Sequence, residues 1–147
     1  MENNDLIKQI NKVLIIGCGR FGAALALMLS EKDKEVTVID KDEQAFRKLS
    51  KAYGGNVYYG DGLLLNVLID QQIKQCDLVV CSTEDDNTNI FISLIASKLY
   101  KIPLVYSRLY DSDRGEILEK SNVRVICPAE LSVTAFKNSF NPVEVTK

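Results

Sequence analysis

The sequence predicts an α/β fold in which a parallel β-sheet of six strands is covered by helices on both faces. Short apolar segments alternate along the chain with segments of helical periodicity, which is typical of βαβ units. The first apolar segment runs directly into a Gly-x-Gly-x-x-Gly turn, and the second ends on Asp40. Together these observations predict a doubly wound sheet with the strand order 3-2-1-4-5-6.

Each element is predicted from a local pattern. Short apolar runs predict strands at residues 12–16, 35–39, 56–59, 78–81, 103–107 and 123–126. Apolar residues three or four positions apart predict helices at 20–32, 42–53, 63–72, 86–99, 113–120 and 129–140. Asp42 stands at a helix N-cap, and Pro128 stands where the last helix starts. The polar lead-in, residues 1–11, is expected to be partly helical.

Two of the predicted helices carry apolar stripes. The buried face of the helix at 86–99 is predicted to consist of Ile90, Leu94, Ile95 and Leu99. The stripe of the last helix is formed by Val133, Phe136 and Phe140. Because a monomer would leave this second stripe exposed, we expect the last helix to pack on a partner subunit.

The glycine turn after the first strand is the most specific signal. Gly17 permits a tight turn, Gly19 lets a pyrophosphate approach the backbone, and Gly22 lets the next helix pack closely on the strand. The N-terminus of that helix presents N–H groups to a phosphate. Asp40 can accept hydrogen bonds from ribose hydroxyls and would repel a 2′-phosphate. This Rossmann-like fingerprint therefore favours NAD(H) or an adenine nucleotide over NADP.

The composition excludes several other classes of protein. A formal net charge of −2 and the lack of a basic stripe argue against nucleic-acid binding. No apolar run is long enough to span a bilayer, and residues 1–12 lack the apolar core of a signal peptide. The four cysteines are scattered, and the chain has no histidine, so a metal site is not expected. We expect the cysteines to be buried thiols, with redox sensing at Cys18 as an alternative.

The order and spacing of several motifs resemble the RCK/KTN (TrkA-N) domain. The shared motifs are the Gly-x-Gly-Arg-Phe-Gly loop (17–22), the Val-Ile-Asp strand end (38–40), Gly60-Asp61-Gly62, the Asp85-Asp86-Asn87-Thr88-Asn89 helix start, Arg108, Leu118-Glu119-Lys120 and the Val-Ile-Cys-Pro segment (125–128). The resemblance covers residues 12–140, including the last helix as a crossover helix. Residues 1–11 would be a lead-in and residues 141–147 a tail.

This resemblance implies a regulator of bacterial potassium uptake or efflux. The family binds NAD(H) or the adenine nucleotides ADP, AMP or ATP and acts as a ligand-gated switch, not as an enzyme. Its domains form homodimers or larger rings beneath a membrane transporter or channel, often through the last helix. The implied location is the cytoplasm, at the inner face of the membrane, with no insertion into the bilayer.

The resemblance also implies roles for individual residues. The backbone from Gly17 to Phe21 would hold the phosphates, with further contacts from Arg20 and Arg108. Asp40 would bind ribose, Lys41 would flank the adenosine, and Asp61 with Gly62 would approach the adenine. Thr83 and Glu84 would line the second ribose or the phosphates. The complete predicted set is Gly17, Cys18, Gly19, Arg20, Phe21, Gly22, Asp40, Lys41, Asp61, Gly62, Thr83, Glu84 and Arg108.

Each polar member of this set also has a purely structural interpretation. Arg20 could be a solvated arginine at a helix start, and Asp61 a turn residue. Thr83 and Glu84 could belong to the cap of the next helix. Arg108 could be a surface arginine paired with Asp111 or Asp113.

Two departures from the family pattern affect the prediction. Ala129 follows Pro128 where members with a triphosphate site often carry glutamate, and this favours NAD(H), ADP or AMP over ATP. The C-terminal half of full-length regulators has no counterpart, which suggests a minimal subunit or an N-terminal domain.

Two other functions compete with regulation. An NAD-dependent oxidoreductase would need a substrate domain and a proton donor, whereas the sequence has neither a histidine nor a Tyr-x-x-x-Lys pair. A scaffold that keeps the fold without a ligand is the third possibility.

Overall fold

Residues 3–140 are described by the computed structural model, and they form one six-stranded parallel sheet. The strand order is β3-β2-β1-β4-β5-β6, which confirms the predicted order and fold class. The strands are β1 (Lys12–Ile16), β2 (Glu35–Asp40), β3 (Asn56–Tyr59), β4 (Leu78–Cys81), β5 (Leu104–Arg108) and β6 (Val123–Ile126). The predicted tail, 141–147, lies outside the described residues.

Five α-helices connect the strands or flank them. They are α1 (Asn3–Gln9), α2 (Arg20–Glu31), α3 (Leu65–Asp70), α4 (Asp86–Leu94) and α5 (Pro128–Phe140). Helix α4 continues as a π-helical turn, Ile95–Leu99, and three short 3₁₀ helices cover Glu43–Lys48, Ile73–Gln75 and Ser112–Leu118. None of the helices described between residues 3 and 140 is both long and apolar enough to cross a membrane.

Two elements predicted as α-helices, at 42–53 and 113–120, are instead short 3₁₀ helices. Asp42 caps the first of them by accepting a hydrogen bond from the N–H of Gln44. The segment leaves the helical path at Leu49, whose ψ is 134°, and the hydroxyl of Tyr53 beyond it lies within hydrogen-bond distance of the main-chain carbonyls of Val36 and Asn56. The second has one fully buried apolar side chain, Leu118, which is too little to anchor an amphipathic helix.

The two faces of the sheet carry separate apolar clusters, because side chains alternate along each strand. Helix α2 packs on one face, where its buried residues meet Val13, Ile15, Val36 and Val38. Helices α3 and α4 pack on the other face against Leu14, Ile16, Ile39 and Val79. Helices on both faces are what the alternating pattern predicts.

The predicted buried stripe of the helix at 86–99 is only partly correct. Ile90 is buried, whereas Leu99 is 56% exposed. The π-helical turn explains the difference: the N–H of Tyr100 donates to the carbonyl of Ile95, five residues back, and the extra residue in the turn rotates Leu99 toward solvent. Ile92 and Ala96 take the buried positions instead.

Helix α5 has no buried residue. Its apolar side chains Leu131, Val133, Phe136 and Phe140 are all more than half exposed. The predicted exposure of the stripe formed by Val133, Phe136 and Phe140 in a monomer is therefore confirmed, while its packing on a partner stays a prediction.

Candidate functional site

A cleft of about 330 Å³ lies at the carboxyl ends of β3, β2, β1 and β4. Nine predicted site residues line it: Gly17, Cys18, Gly19, Asp40, Lys41, Asp61, Gly62, Thr83 and Glu84. Arg20, Phe21, Gly22 and Arg108 do not line it. The cleft contains the point between β1 and β4 where the strand order reverses, which is where doubly wound folds bind ligands.

The three glycines of the loop have different surroundings. Gly17 has a φ of 105°, and a Cβ there would lie 2.6 Å from the main chain of Ser82. A Cβ on Gly22 would lie 2.1 Å from the carbonyl oxygen of Gly17, because α2 passes directly over the strand end. No atom lies within 4 Å of a Cβ built on Gly19. Gly17 and Gly22 are therefore required for close packing of the main chain, whereas the lack of a side chain at Gly19 leaves open space beside the loop.

The open space at Gly19 faces the start of a helix. Gly19 is the N-cap of α2 and provides no side-chain cap, and the first turn contains no acidic residue. The N–H groups of that first turn have no carbonyl partner within the helix. An uncapped helix N-terminus beside a cleft is a favourable place for a phosphate. Arg20 opens the helix with its side chain exposed.

Asp40 ties the end of β2 to the glycine loop. Its Oδ2 accepts a hydrogen bond of 2.7 Å from the N–H of Cys18, and its Oδ1 accepts one of 2.8 Å from the N–H of Asp42. A carboxylate has about four lone-pair sites, so roughly two remain for ribose hydroxyls. Lys41 and Lys48 line the cleft nearby. The sequence pattern gives no signal for Lys48, which reaches the cleft through the 3₁₀ helix Glu43–Lys48.

The turn after β3 contains Asp61 and Gly62, which are both predicted site residues and both line the cleft. Asp61 lines the cleft, and its Oδ1 accepts a hydrogen bond of 2.9 Å from the N–H of Leu63. The structural interpretation of Asp61 as a turn residue is thus correct, and a contact with adenine stays a prediction. Gly62 is needed for packing, because a Cβ there would lie 2.6 Å from Cγ2 of Ile16.

The loop after β4 is held by Asn89, a fully buried residue of α4. Its Oδ1 accepts hydrogen bonds from the N–H and the hydroxyl of Thr83, at 2.9 and 2.6 Å. Its Nδ2 donates to the carbonyls of Thr83 and Arg108, at 3.0 and 2.8 Å. One amide group therefore fixes the ends of β4 and β5. The sequence pattern contains Asn89 but no signal of this role.

Asp85, rather than Thr83 or Glu84, is the N-cap of α4. Its Oδ2 accepts hydrogen bonds of 2.9 and 2.6 Å from the N–H and hydroxyl of Thr88. These bonds lower the pKa of the Asp85 carboxyl. Asp85 and Thr88 also line the cleft, so the cap belongs to the wall of the site.

Arg108 lies behind Thr83 and is buried. Its Nη2 donates to the carbonyl of Thr83 at 3.1 Å and to the hydroxyl of Tyr110 at 3.3 Å, and its guanidinium lies 5.2 Å from the centre of the Tyr110 ring. Its Nε is buried without a partner among the described residues. The interpretation as a surface arginine paired with Asp111 or Asp113 is wrong, because Asp111 pairs with Arg114.

The four cysteines are free and buried, as expected. Burial raises the pKa of the Cys18 thiol, and the charge of Asp40 raises it further. This environment disfavours the thiolate, which is the reactive form, and so argues against redox sensing at Cys18. Between residues 3 and 140, no group of three or more Cys, Asp or Glu side chains is placed to hold a metal ion.

Known proteins resemble this chain in sequence and in structure. The chain is 31% identical over 114 residues to the Trk system potassium uptake protein TrkA of Streptomyces coelicolor; the match covers 78% of this chain and 51% of that protein. The GsuK channel bound to NAD superposes with a TM-score of 0.76 at 25% identity, over 90% of this chain and 24% of that one. GsuK bound to ADP gives 0.73 at 25% identity, over 87% and 33%.

The chain thus spans about half the length of its Streptomyces relative. The family model of the TrkA-N domain matches residues 13–128, from the second residue of β1 to the start of α5. This segment contains the sheet except for Lys12, and every residue that lines the cleft. The chain therefore belongs to the TrkA-N domain family.

Proposed function

We propose that this domain binds NAD(H) or an adenine nucleotide in the cleft and thereby regulates a membrane potassium transporter or channel. The observation that carries the proposal is the open space at Gly19, next to the uncapped N-terminus of α2 and within the same cleft as Asp40. A TrkA potassium uptake protein among the relatives and the NAD-bound and ADP-bound forms of GsuK support it.

The order of the strands suggests how the nucleotide lies. Adenosine would occupy the side of β2 and β3, where Asp40 accepts hydrogen bonds from the ribose and Asp61 and Lys41 flank the base. The phosphates would bind at the glycine loop. The group beyond the phosphates would meet Thr83 and Glu84. Arg20 would reach the phosphates from the start of α2, and Arg108 would do so after leaving Tyr110.

Regulation requires that the ligand bind two shapes of the protein with different affinity. The contacts of Asn89 offer one way for a bound ligand to change the shape of the protein. A ligand that moves Thr83 acts through Asn89 on Arg108, because the amide of Asn89 binds the main chain of both. The binding role would be regulatory and not catalytic, with the domain in the cytoplasm at the inner face of the membrane.

Calorimetric titration of the purified chain with NADH, NAD⁺, ADP, AMP and ATP tests the proposal. We expect binding of at least one of these ligands. Asp40→Ala should weaken it at least about tenfold, because the variant loses both the ribose acceptor and the bond to the Cys18 N–H. Asp70→Ala is the matched control, since Asp70 is an exposed aspartate of α3 outside the cleft. If none of the five nucleotides binds, the regulatory proposal is wrong.

We further propose that α5 joins two copies of the chain, and that residues 12–140 form the unit that dimerises. Phe136→Asp combined with Phe140→Asp should turn the dimer into a monomer; the centroids of the two phenylalanine rings lie 4.9 Å apart. The physical reason is that charges are costly to bury in an apolar interface. Analytical ultracentrifugation measures the change. Asn138→Asp, on the opposite side of α5 at helical spacing, should leave the dimer intact. A wild-type chain that sediments as a monomer contradicts the proposal.

A further inference from the structure

The two ends of the cleft differ in their charged groups. On the side of β2 and β3, the carboxylates of Asp40, Asp42 and Asp61 line the cleft together with two cations, Lys41 and Lys48. On the opposite side, the loop after β4 contributes the carboxylates of Glu84 and Asp85 and no cation. Both side chains are exposed, so they present their charge to the space in front of β4.

None of the described residues that line the cleft on the β4 side is a cation. The hydrogen bonds that Asp85 accepts come from the N–H and hydroxyl of Thr88, which carry no charge. Arg114 contributes to the lowered pKa of Asp85, but it contacts Asn87 and Asp111 at the surface and does not line the cleft. Arg108 lies behind the main chain of Thr83 and does not line the cleft either. Its guanidinium is instead covered by the ring of Tyr110.

The strand order decides which part of a nucleotide would meet these carboxylates. With phosphates at the glycine loop of β1 and adenosine on the side of β2, the next group points toward β4, the other neighbour of β1. In NAD(H) that group is a ribose, whose hydroxyls can donate to a carboxylate. In ATP it is a further phosphate, which would meet like charge.

We infer, on the basis of the proposed function, that Glu84 and Asp85 are specificity-determining residues. They select ligands with a ribose beyond the diphosphate, as in NAD(H) or ADP-ribose, against nucleoside triphosphates.

ADP-ribose and ATP form a matched pair of probes, because both carry adenosine and a diphosphate and differ in the next group. In calorimetric titrations with a metal chelator present, the wild-type chain should bind ADP-ribose at least about tenfold more tightly than ATP. Glu84→Gln should reduce this ratio by roughly fivefold, through tighter binding of ATP, and the pair Glu84→Gln with Asp85→Asn should reduce it further. Asparagine at position 85 retains an acceptor for the helix cap.

Asp42→Asn is the control, because it removes one negative charge from the β2 side of the cleft and also keeps a cap acceptor. It should change the ratio less than about twofold. Equal wild-type affinities for the two probes, or a ratio that Glu84→Gln does not change, would overturn the inference while leaving nucleotide binding intact. Preference for ATP with Mg²⁺, lost in Glu84→Gln, would also overturn it. If neither probe nor any other nucleotide binds, the proposed function falls as well.

Discussion

Gly22→Ala should strongly destabilise the protein, whereas Gly19→Ala should leave it folded and weaken its binding of nucleotide. A Cβ at position 22 would lie 2.1 Å from the carbonyl oxygen of Gly17 and 2.9 Å from the hydroxyl oxygen of Ser82. The glycine loop cannot retreat easily, since the N–H of Gly17 donates to the carbonyl of Ile39. We expect a loss of about 3 kcal/mol or more in the free energy of unfolding.

At position 19 the added methyl group meets nothing within 4 Å, and the φ of −81° suits alanine. The free energy of unfolding should therefore change by less than about 1 kcal/mol. The methyl group would occupy the space through which a phosphate reaches the N–H groups of α2, and nucleotide affinity should fall at least about tenfold. Urea denaturation followed by circular dichroism, combined with titration of NADH, measures both effects. Similar stability of the two variants would refute the assignment of separate roles.

Asn89→Leu should lower the free energy of unfolding by about 3 kcal/mol. The substitution keeps the approximate size of the side chain and removes all four of its hydrogen bonds. The part-buried N–H of Thr83 and the buried carbonyl of Arg108 then lose this partner. Each unpaired buried group of this kind costs about 1–3 kcal/mol. Leucine at position 89 should also loosen the β4 wall of the cleft and weaken nucleotide binding.

Asn87→Leu is the control for this effect. Asn87 lies on the same helix, is exposed, and contacts Arg114 at the surface. Its substitution should cost less than about 0.5 kcal/mol. Thermal and urea unfolding of the two variants give the comparison. A cost for Asn89→Leu no greater than that for Asn87→Leu would show that the network around Thr83 contributes little to stability.

The strands were predictable because their signal is local. The bounds of β1, β3, β4 and β6 agree with the predicted ranges 12–16, 56–59, 78–81 and 123–126. A strand buried on both faces must be apolar along its length, and this requirement is visible without any knowledge of its partners. The 3₁₀ helices were not predictable in the same way. The predicted helix at 42–53 ends at Lys48, and Tyr53 contacts Val36, which lies 17 residues away in sequence.

The site residues likewise divide into those that a local sequence pattern predicts and those whose position depends on contacts with distant segments. The glycine loop and Asp40 form a pattern with fixed spacing, and the structure brings them together through the bond from Cys18 to Asp40. Lys48 reaches the cleft through an unpredicted 3₁₀ helix. The alternative that placed Arg108 at the surface is wrong, because Arg108 is buried beneath Tyr110, and its contact with phosphates stays a prediction. No local sequence pattern predicts which distant residue a long side chain will contact.

The sequence by itself determined the α/β class, the strand order and the position of the glycine loop, because each follows from local periodicity and one motif of fixed spacing. Only the tertiary structure decided which glycine leaves space for a ligand, how Asn89 joins the ends of two strands, and where the charges of the cleft lie. These properties depend on contacts between segments that are distant in the chain, such as the bond between Ser82 and Gly17, 65 residues apart.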